Sequence, residues 1–279
     1  MQNKIIKTWF ITGASKGLGL TLLKQLLAAG QNVAATSRNI NELTKTVGDA
    51  GNNFLPLQVN LADDASVKQA VEQTNTTFGS VDVLINNAGY GIGGSFEELT
   101  DAEIRNAFDV NVFGTINTIR HALPIMRQQQ SGHIINISSI AGFSAATGWA
   151  PYAATKFAIT GLTEVLADDV RSFGIKATVV APGAFRTSFL TDDSLALPQN
   201  PIAAYADIRA SHERYLTMNG QQAGDPEKAA AIMIETGFNP NPPVHLFLGS
   251  DAYKRALLKI ESLTKEIESL KEVTTSTDY

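Results

Sequence analysis

Ser139, Tyr152 and Lys156 fall within one short stretch of the chain and together form an acid–base set. Tyr152 and Lys156 are four residues apart, and Pro151 suits the first turn of a helix running through Ala-rich sequence toward Val170. One helical turn sets both side chains on one face. A phenol at its ordinary pKa of ~10 shuttles protons poorly at neutral pH, and bringing it to ~7 takes roughly 4 kcal/mol of preferential stabilisation of the phenolate. A neighbouring ammonium has the right sign to supply much of it. Ser139 follows an apolar run over residues 133–138 that reads as a buried strand ending in hydroxyls, and its own hydroxyl can donate to a substrate oxygen. Alone, a Tyr-x-x-x-Lys pair equally describes an exposed helix face with a solvated lysine. Its meaning depends on what positions it.

The positioning elements alternate. Apolar or β-branched runs predict strands over residues 4–11, 32–36, 54–59, 81–85, 133–138, 176–181 and 244–248; helical patterns cover 17–29, 64–77, 101–129, 151–173 and 226–237. Alternation of this kind implies an α/β fold, a Rossmann-type doubly wound parallel sheet flanked by helices. A length of 279 residues suits one large α/β domain over 1–279. Periodicity fades over residues 185–224, where Pro198, Pro201 and a short helical pattern at 202–216 predict a lid covering substrate. Residues 250–273 carry Tyr253, Ala256, Ile260, Leu263, Ile267 and Leu270 at intervals of three and four, an amphipathic helix suited to packing on its own domain or on a second subunit.

The first strand runs into Thr12-Gly-Ala-Ser-Lys-Gly-Leu-Gly19. Glycines let such a turn reverse tightly and bring backbone N–H groups against a pyrophosphate at the helix amino end. Gly13, Ser15, Lys16, Gly17, Leu18 and Gly19 are therefore candidate cofactor-binding residues, although Gly-x-x-x-Gly-x-Gly departs from the Gly-x-Gly-x-x-Gly fingerprint. After the second strand, where a carboxylate would select NAD, stand Ser37 and Arg38. A hydroxyl and a guanidinium suit a 2′-phosphate, with Lys16 as a second cation, so the expected cofactor is NADP(H). Asn86-Asn87-Ala88-Gly89 ends the fourth strand; its amides can brace neighbouring strand ends, and Gly89 leaves room for the dinucleotide. Asn111 is an unfavourable residue for the interior of a helix.

In this order the glycine spacing, Asn86-Asn-Ala-Gly89, Asn111, Ser139, Tyr152, Lys156, and Pro182-Gly183 followed by Thr187 resemble the classical short-chain dehydrogenase/reductase family over residues 4–190. Pro182-Gly-Ala-Phe-Arg-Thr-Ser-Phe189 and Leu248-Gly-Ser-Asp-Ala252 are most similar to its 17β-hydroxysteroid and retinol dehydrogenase-like branch. The resemblance implies a catalytic set of Asn111, Ser139, Tyr152 and Lys156, with Asn111 holding water near Lys156 and Lys156 also holding the ribose. It places Asn87, Ala88 and Gly89 at the dinucleotide, Pro182 and Gly183 over the nicotinamide, and Thr187 on its carboxamide. Asn60 and Leu61 fall by the adenine, where the family usually carries aspartate in place of Asn60. It further implies a homodimer or homotetramer.

The expected activity is NADPH-dependent hydride transfer to a ketone or aldehyde, with alcohol oxidation as the reverse. Ser139, Phe143, Trp149, Tyr152, Phe185 and Phe189, with Leu190, are the candidate substrate-binding residues of an apolar pocket. Two other readings remain open, a non-catalytic NADPH-binding or sensing protein and a redox-neutral epimerase or dehydratase on a related fold.

Other classes fit poorly. A net charge of −5 without a basic run disfavours nucleic acid and anionic membrane as partners. There is no cysteine, and His121, His133, His212 and His245 lack ligand spacing, so no metal site is expected. The first apolar run is too short for a signal peptide and no stretch is long enough to span a bilayer, which reads as a soluble cytoplasmic protein acting on a small molecule.

Overall fold

Thr8–Ile11, strand β1, has no polar side: all four residues are buried, Trp9 and Ile11 in one core layer and Phe10 in the other. Such a run belongs in a parallel sheet covered on both faces. The computed structural model describes residues 5–48 and 50–279; Lys4, expected to open the first strand, lies outside them.

After β1 come α1 (Gly17–Ala28), β2 (Asn32–Ser37), α2 (Ile40–Val47), β3 (Phe54–Gln58), α3 (Asp64–Phe78), β4 (Val83–Asn86), β5 (Gly91–Ile92), α4 (Asp101–Phe108) and α5 (Gly114–Gln129). The chain continues through β6 (Gly132–Ile137), α6 (Ala150–Asp169), β7 (Ile175–Pro182), β8 (Leu195–Ala196), α7 (Ala206–Thr217), α8 (Pro226–Phe238), β9 (His245–Leu248), α9 (Ser250–Ser269) and α10 (Lys271–Thr275). Seven parallel strands lie in the order β3-β2-β1-β4-β6-β7-β9. This is the expected doubly wound sheet. Its winding reverses between β1 and β4, which opens a crevice at the carboxyl ends of those strands.

Two cores hold the layers together. Leu22, Leu23 and Leu26 of α1 join Ala230 and Met233 of α8 over one face. Val67 and Val71 of α3 join Ile119 and Met126 of α5 over the other.

The first strand, expected over 4–11, begins only at Thr8, and three further details differ from the sequence expectation. Helix α2 was not anticipated because only Leu43 is buried on it; its start is set by Asn39 Oδ1, which accepts from the Glu42 N–H at 3.2 Å. The helical run expected over 101–129 is broken by a π turn at Asp109–Phe113. The run expected over 151–173 ends at Asp169, followed by a 3-10 turn and Gly174 at φ 70°.

His133 in β6 is buried, with Nε2 hydrogen-bonded to Thr178 Oγ1 at 2.9 Å. Burial, reinforced by Lys7 and Lys176, pulls its pKa from 6.5 to about 3. The folded value lies below the unfolded one, so the imidazole's contribution to stability is intact above pH 6.5 and is lost as pH falls toward 3. Between pH 6.5 and 5 the wild type should lose ~2 kcal/mol through this group. In His133→Gln that part of the pH dependence should vanish. Urea denaturation at the two pH values checks it, and equal pH slopes for both proteins would contradict it.

Candidate active site

At the end of β1 the chain turns through Gly13 and Gly17, whose φ values of 66° and 55° favour glycine. A Cβ on Gly13 would meet Ala88 Cα at 2.8 Å, and one on Gly19 would meet Asn87 Nδ2 at 2.5 Å. The turn is therefore pressed against the segment after β4. Asn87 Nδ2 donates to the carbonyls of Thr12 and Gly13, both at 3.0 Å, while Thr12 Oγ1 accepts from the N–H groups of Asn87 and Ala88, also at 3.0 Å. Asn86 braces the sheet from within: Thr118 Oγ1 donates to its Oδ1 at 2.5 Å, and its Nδ2 donates to Asn136 Oδ1 at 2.8 Å.

Helix α1 begins with Lys16 in the cap position, and no side chain caps its first N–H groups. An uncapped, glycine-lined helix start has the donors and the room that a pyrophosphate requires. Leu18 packs partly into the core, whereas Thr187 reaches back over the turn, 3.7 Å from where a Gly17 Cβ would stand. Ser15 is in the same turn, half-buried.

The groups expected at the 2′-position sit at the edge of this crevice. Ser37 is buried and its Oγ accepts from the Asn39 N–H at 3.1 Å; Arg38 is exposed and makes no ion pair among the described residues. Lys16 Nζ donates to the Asp193 carbonyl at 3.0 Å, tying the glycine turn to the segment between β7 and β8. Asn60 Oδ1 accepts from the Ala62 N–H at 3.2 Å, and the Leu61 carbonyl accepts from Asn117 Nδ2 at 3.1 Å. Pro182 ends β7, and the Gly183 N–H donates to the Leu248 carbonyl at 2.8 Å. A Cβ on Gly183 would fall 2.0 Å from Asp251 Oδ1.

Asn111, Ser139, Tyr152 and Lys156 come from four separate pieces of backbone. The π turn carries Asn111 inward, where its Oδ1 accepts from the Tyr90 N–H at 3.0 Å and its Nδ2 donates to the Tyr90 carbonyl at 2.9 Å and to Thr155 Oγ1 at 3.2 Å. An extra residue in the turn re-aims the side chain in this way. Gly89 is the point of closest approach: a Cβ there would lie 3.0 Å from Asn111 Oδ1 and 3.5 Å from Lys156 Nζ. Ser139 caps a 3-10 turn, accepting from the Ala141 N–H at 3.1 Å, and its hydroxyl acts on the Tyr152 phenol, favouring the ionised form. Lys156 Nζ lies 5.8 Å from the Tyr152 ring centroid and donates to the Ile137 carbonyl at 2.9 Å.

Burial dominates the electrostatics of this pair. Burial pushes the Tyr152 phenol above its usual value, with the Ser139 hydrogen bond pulling the other way. Burial also lowers Lys156 from 10.5 to about 8. Desolvation of both groups dominates in the protein alone, where Lys156 Nζ is also engaged by the Ile137 carbonyl. In the protein alone the tyrosine is a proton-bearing acid at neutral pH.

Trp149 and Phe189 pack around Tyr152, with ring centroids 6.4 and 5.8 Å from it. Leu190 is partly buried in the same cluster. Phe143 and Phe185, expected to join them, pack elsewhere. Phe143 lies 5.2 Å from Phe247 in a cluster under α9, and Phe185 packs onto the core layer that includes Leu248.

Residues without any local signal complete the aromatic cluster around Trp149. Helix α7 brings Tyr215 and His212 against Trp149, each 5.1 Å away. It is held by Arg209, which pairs through Nη1 and Nη2 with Glu98 at 2.6 and 2.7 Å. The Glu98 side chain is fully buried and also accepts from the N–H groups of Ile202 and Ser95. Ser211 Oγ donates to the Thr147 carbonyl at 2.8 Å, beside the stretch that leads into α6.

The short chain dehydrogenase family profile matches residues 7–196. The chain belongs to that family. An oxidoreductase of Botryotinia fuckeliana is 35% identical over 96% of this short-chain dehydrogenase and 97% of the relative. A 3-ketodihydrosphingosine reductase of Bacteroides thetaiotaomicron is 36% identical over 89% of each chain. The crystal structure of a short-chain dehydrogenase from Streptomyces avermitilis superposes with a TM-score of 0.91 at 35% identity, covering 99% of this chain and 100% of that one. The oxidoreductase class of this short-chain dehydrogenase follows from those matches. Among its described residues no helix is long and apolar enough to cross a membrane, and no cluster of three or more His, Asp or Glu side chains could hold a metal ion.

Proposed function

We propose that this short-chain dehydrogenase reduces an apolar ketone or aldehyde with NADPH, alcohol oxidation being the reverse. The observation that carries the reading is the buried Tyr152 phenol, under the influence of the Ser139 hydroxyl and with Lys156 Nζ 5.8 Å from its ring centroid. A bound nicotinamide supplies the hydride that reduces the carbonyl carbon. Ser139 orients the carbonyl oxygen by donating to it, and Tyr152 gives that oxygen its proton, so that one hydride and one proton convert carbonyl to alcohol. Protonated Tyr152 is the form reduction needs. Lys156 has N–H donors beyond the one given to Ile137, suited to ribose hydroxyls, and near the phenol it can offset the charge left on proton transfer. Asn111, fastened to Tyr90 and Thr155, holds the far end of the proton path.

The apolar enclosure of Trp149, Phe189 and Leu195 around Tyr152 supports an apolar substrate. A relative that is by name a 3-ketodihydrosphingosine reductase supports the reductive direction. Ser37, the exposed Arg38 and nearby Lys16 support NADPH over NADH.

The test is a carbonyl panel, from small aldehydes to steroids, followed by loss of nicotinamide absorbance with NADPH and NADH in parallel. Arg38→Ala should lower kcat/KM with NADPH by ~10–100-fold, the worth of a charged hydrogen bond, and leave the NADH value nearly unchanged. Preference for NADH in the wild type would overturn the cofactor assignment. Absence of net NADPH consumption with every carbonyl would favour a binding protein or a redox-neutral enzyme.

A further inference from the structure

We infer that α9 is a self-association surface, its outer turns pairing antiparallel with α9 of a second copy of this chain. Of its residues only Ala252 and Ala256 are buried, against Ile140 and its neighbours Phe143 and Phe247. Twenty residues of helix span about 30 Å, so most of α9 runs beyond that anchor. The stripe opened by Ala256 nevertheless continues at intervals of three and four through Ile260, Leu263, Ile267 and Leu270, which are 50%, 43%, 58% and 47% exposed. An amphipathic helix gains most of its stability by burying such a face, and all four of these side chains remain exposed in the single chain.

Charge selects the occupant. Residues 250–273 carry five basic and five acidic side chains, so the helix lacks the positive excess that draws an amphipathic helix to an anionic membrane. On the side away from the stripe, Lys265 pairs with Glu261 of the same helix at 2.6 Å. Lys259 and Glu266 flank the stripe along one edge, two turns apart and opposite in sign. An antiparallel copy sets Lys259 against Glu266 of the second copy, and the reverse, while Ile260 layers on Leu263 across the axis. Both attractive pairs form at once, as a two-fold, self-complementary contact requires.

Sedimentation velocity of the full chain across a concentration range tests this. The wild type should associate as concentration rises, and Leu263→Glu combined with Ile267→Glu should halve the assembled mass. Both positions are exposed, and circular dichroism checks that the fold is kept. Lys259→Glu or Glu266→Lys alone should shift the association midpoint ~10-fold or more to higher concentration, because each sets like charges face to face; the two reversals together should restore it. A wild type monomeric at every concentration, an unchanged mass in the Leu263/Ile267 variant, or a double reversal no better than the singles would overturn the inference.

Discussion

Tyr152→Phe should keep nucleotide affinity and lose ~10²–10⁴-fold in turnover, the usual worth of a positioned proton donor. The substitution removes one oxygen and leaves a ring of the same shape, so the packing against Trp149 and Phe189 is retained. Lys156 keeps its bond to the Ile137 carbonyl, and the glycine turn is untouched. A structural role for the phenol would appear as lost stability or weakened NADPH binding, whereas a proton donor's loss appears in kcat alone. Fluorescence titration with NADPH and single-turnover reduction of the best carbonyl separate the two. Turnover equal to wild type would remove the role assigned to Tyr152.

Arg209→Met is expected to be the most destabilising of the changes considered, by about 3–5 kcal/mol at neutral pH, since it strands a buried carboxylate. Glu98 has no solvent-exposed side-chain surface, whereas the Arg209 side chain is 28% exposed, so the carboxylate cannot recover water as the guanidinium can. Glu98→Gln should therefore cost less than Arg209→Met, and the double variant less than the sum of the two. Arg209, opposed by burial, is the main cause holding Glu98 well below the usual carboxylate range. With the folded value depressed, this contribution to stability is present above the unfolded pKa of 4.5 and is lost as pH falls below it.

The same pair anchors α7. Releasing α7 frees Tyr215 and His212 from Trp149, so KM for bulky substrates should rise in Glu98→Gln while NADPH affinity changes little. Urea denaturation and substrate titration measure both effects. A variant with wild-type stability and wild-type KM would show that the pair does not hold the pocket.

Consecutive residues were enough for the chemistry that is local. The glycine turn, Asn86-Asn-Ala-Gly89 and the Tyr-x-x-x-Lys spacing are legible because one turn or one helical repeat places each group. Alternating apolar runs made the parallel sheet legible for the same reason, and the seven-stranded order bears that out. Asn111 could be singled out as an odd helix residue, but the π turn that aims it depends on Tyr90 and Thr155, which approach from other elements.

Tertiary structure alone decided the rest. Glu98 and Arg209 are 111 positions apart, and nothing near either in the chain records the other. Phe143 and Phe185 are as aromatic as Trp149 and Phe189, yet α9 and the core facing α8 take them away from the pocket. The acidity of Tyr152 belongs to this second kind. Spacing put a cation one turn away, but burial and the Ile137 carbonyl, neither visible in sequence, determine how much of that charge the phenol feels. Periodicity and turn chemistry are short-range properties carried by neighbouring residues, whereas desolvation and side-chain partnership are set by whichever distant segment closes over the site.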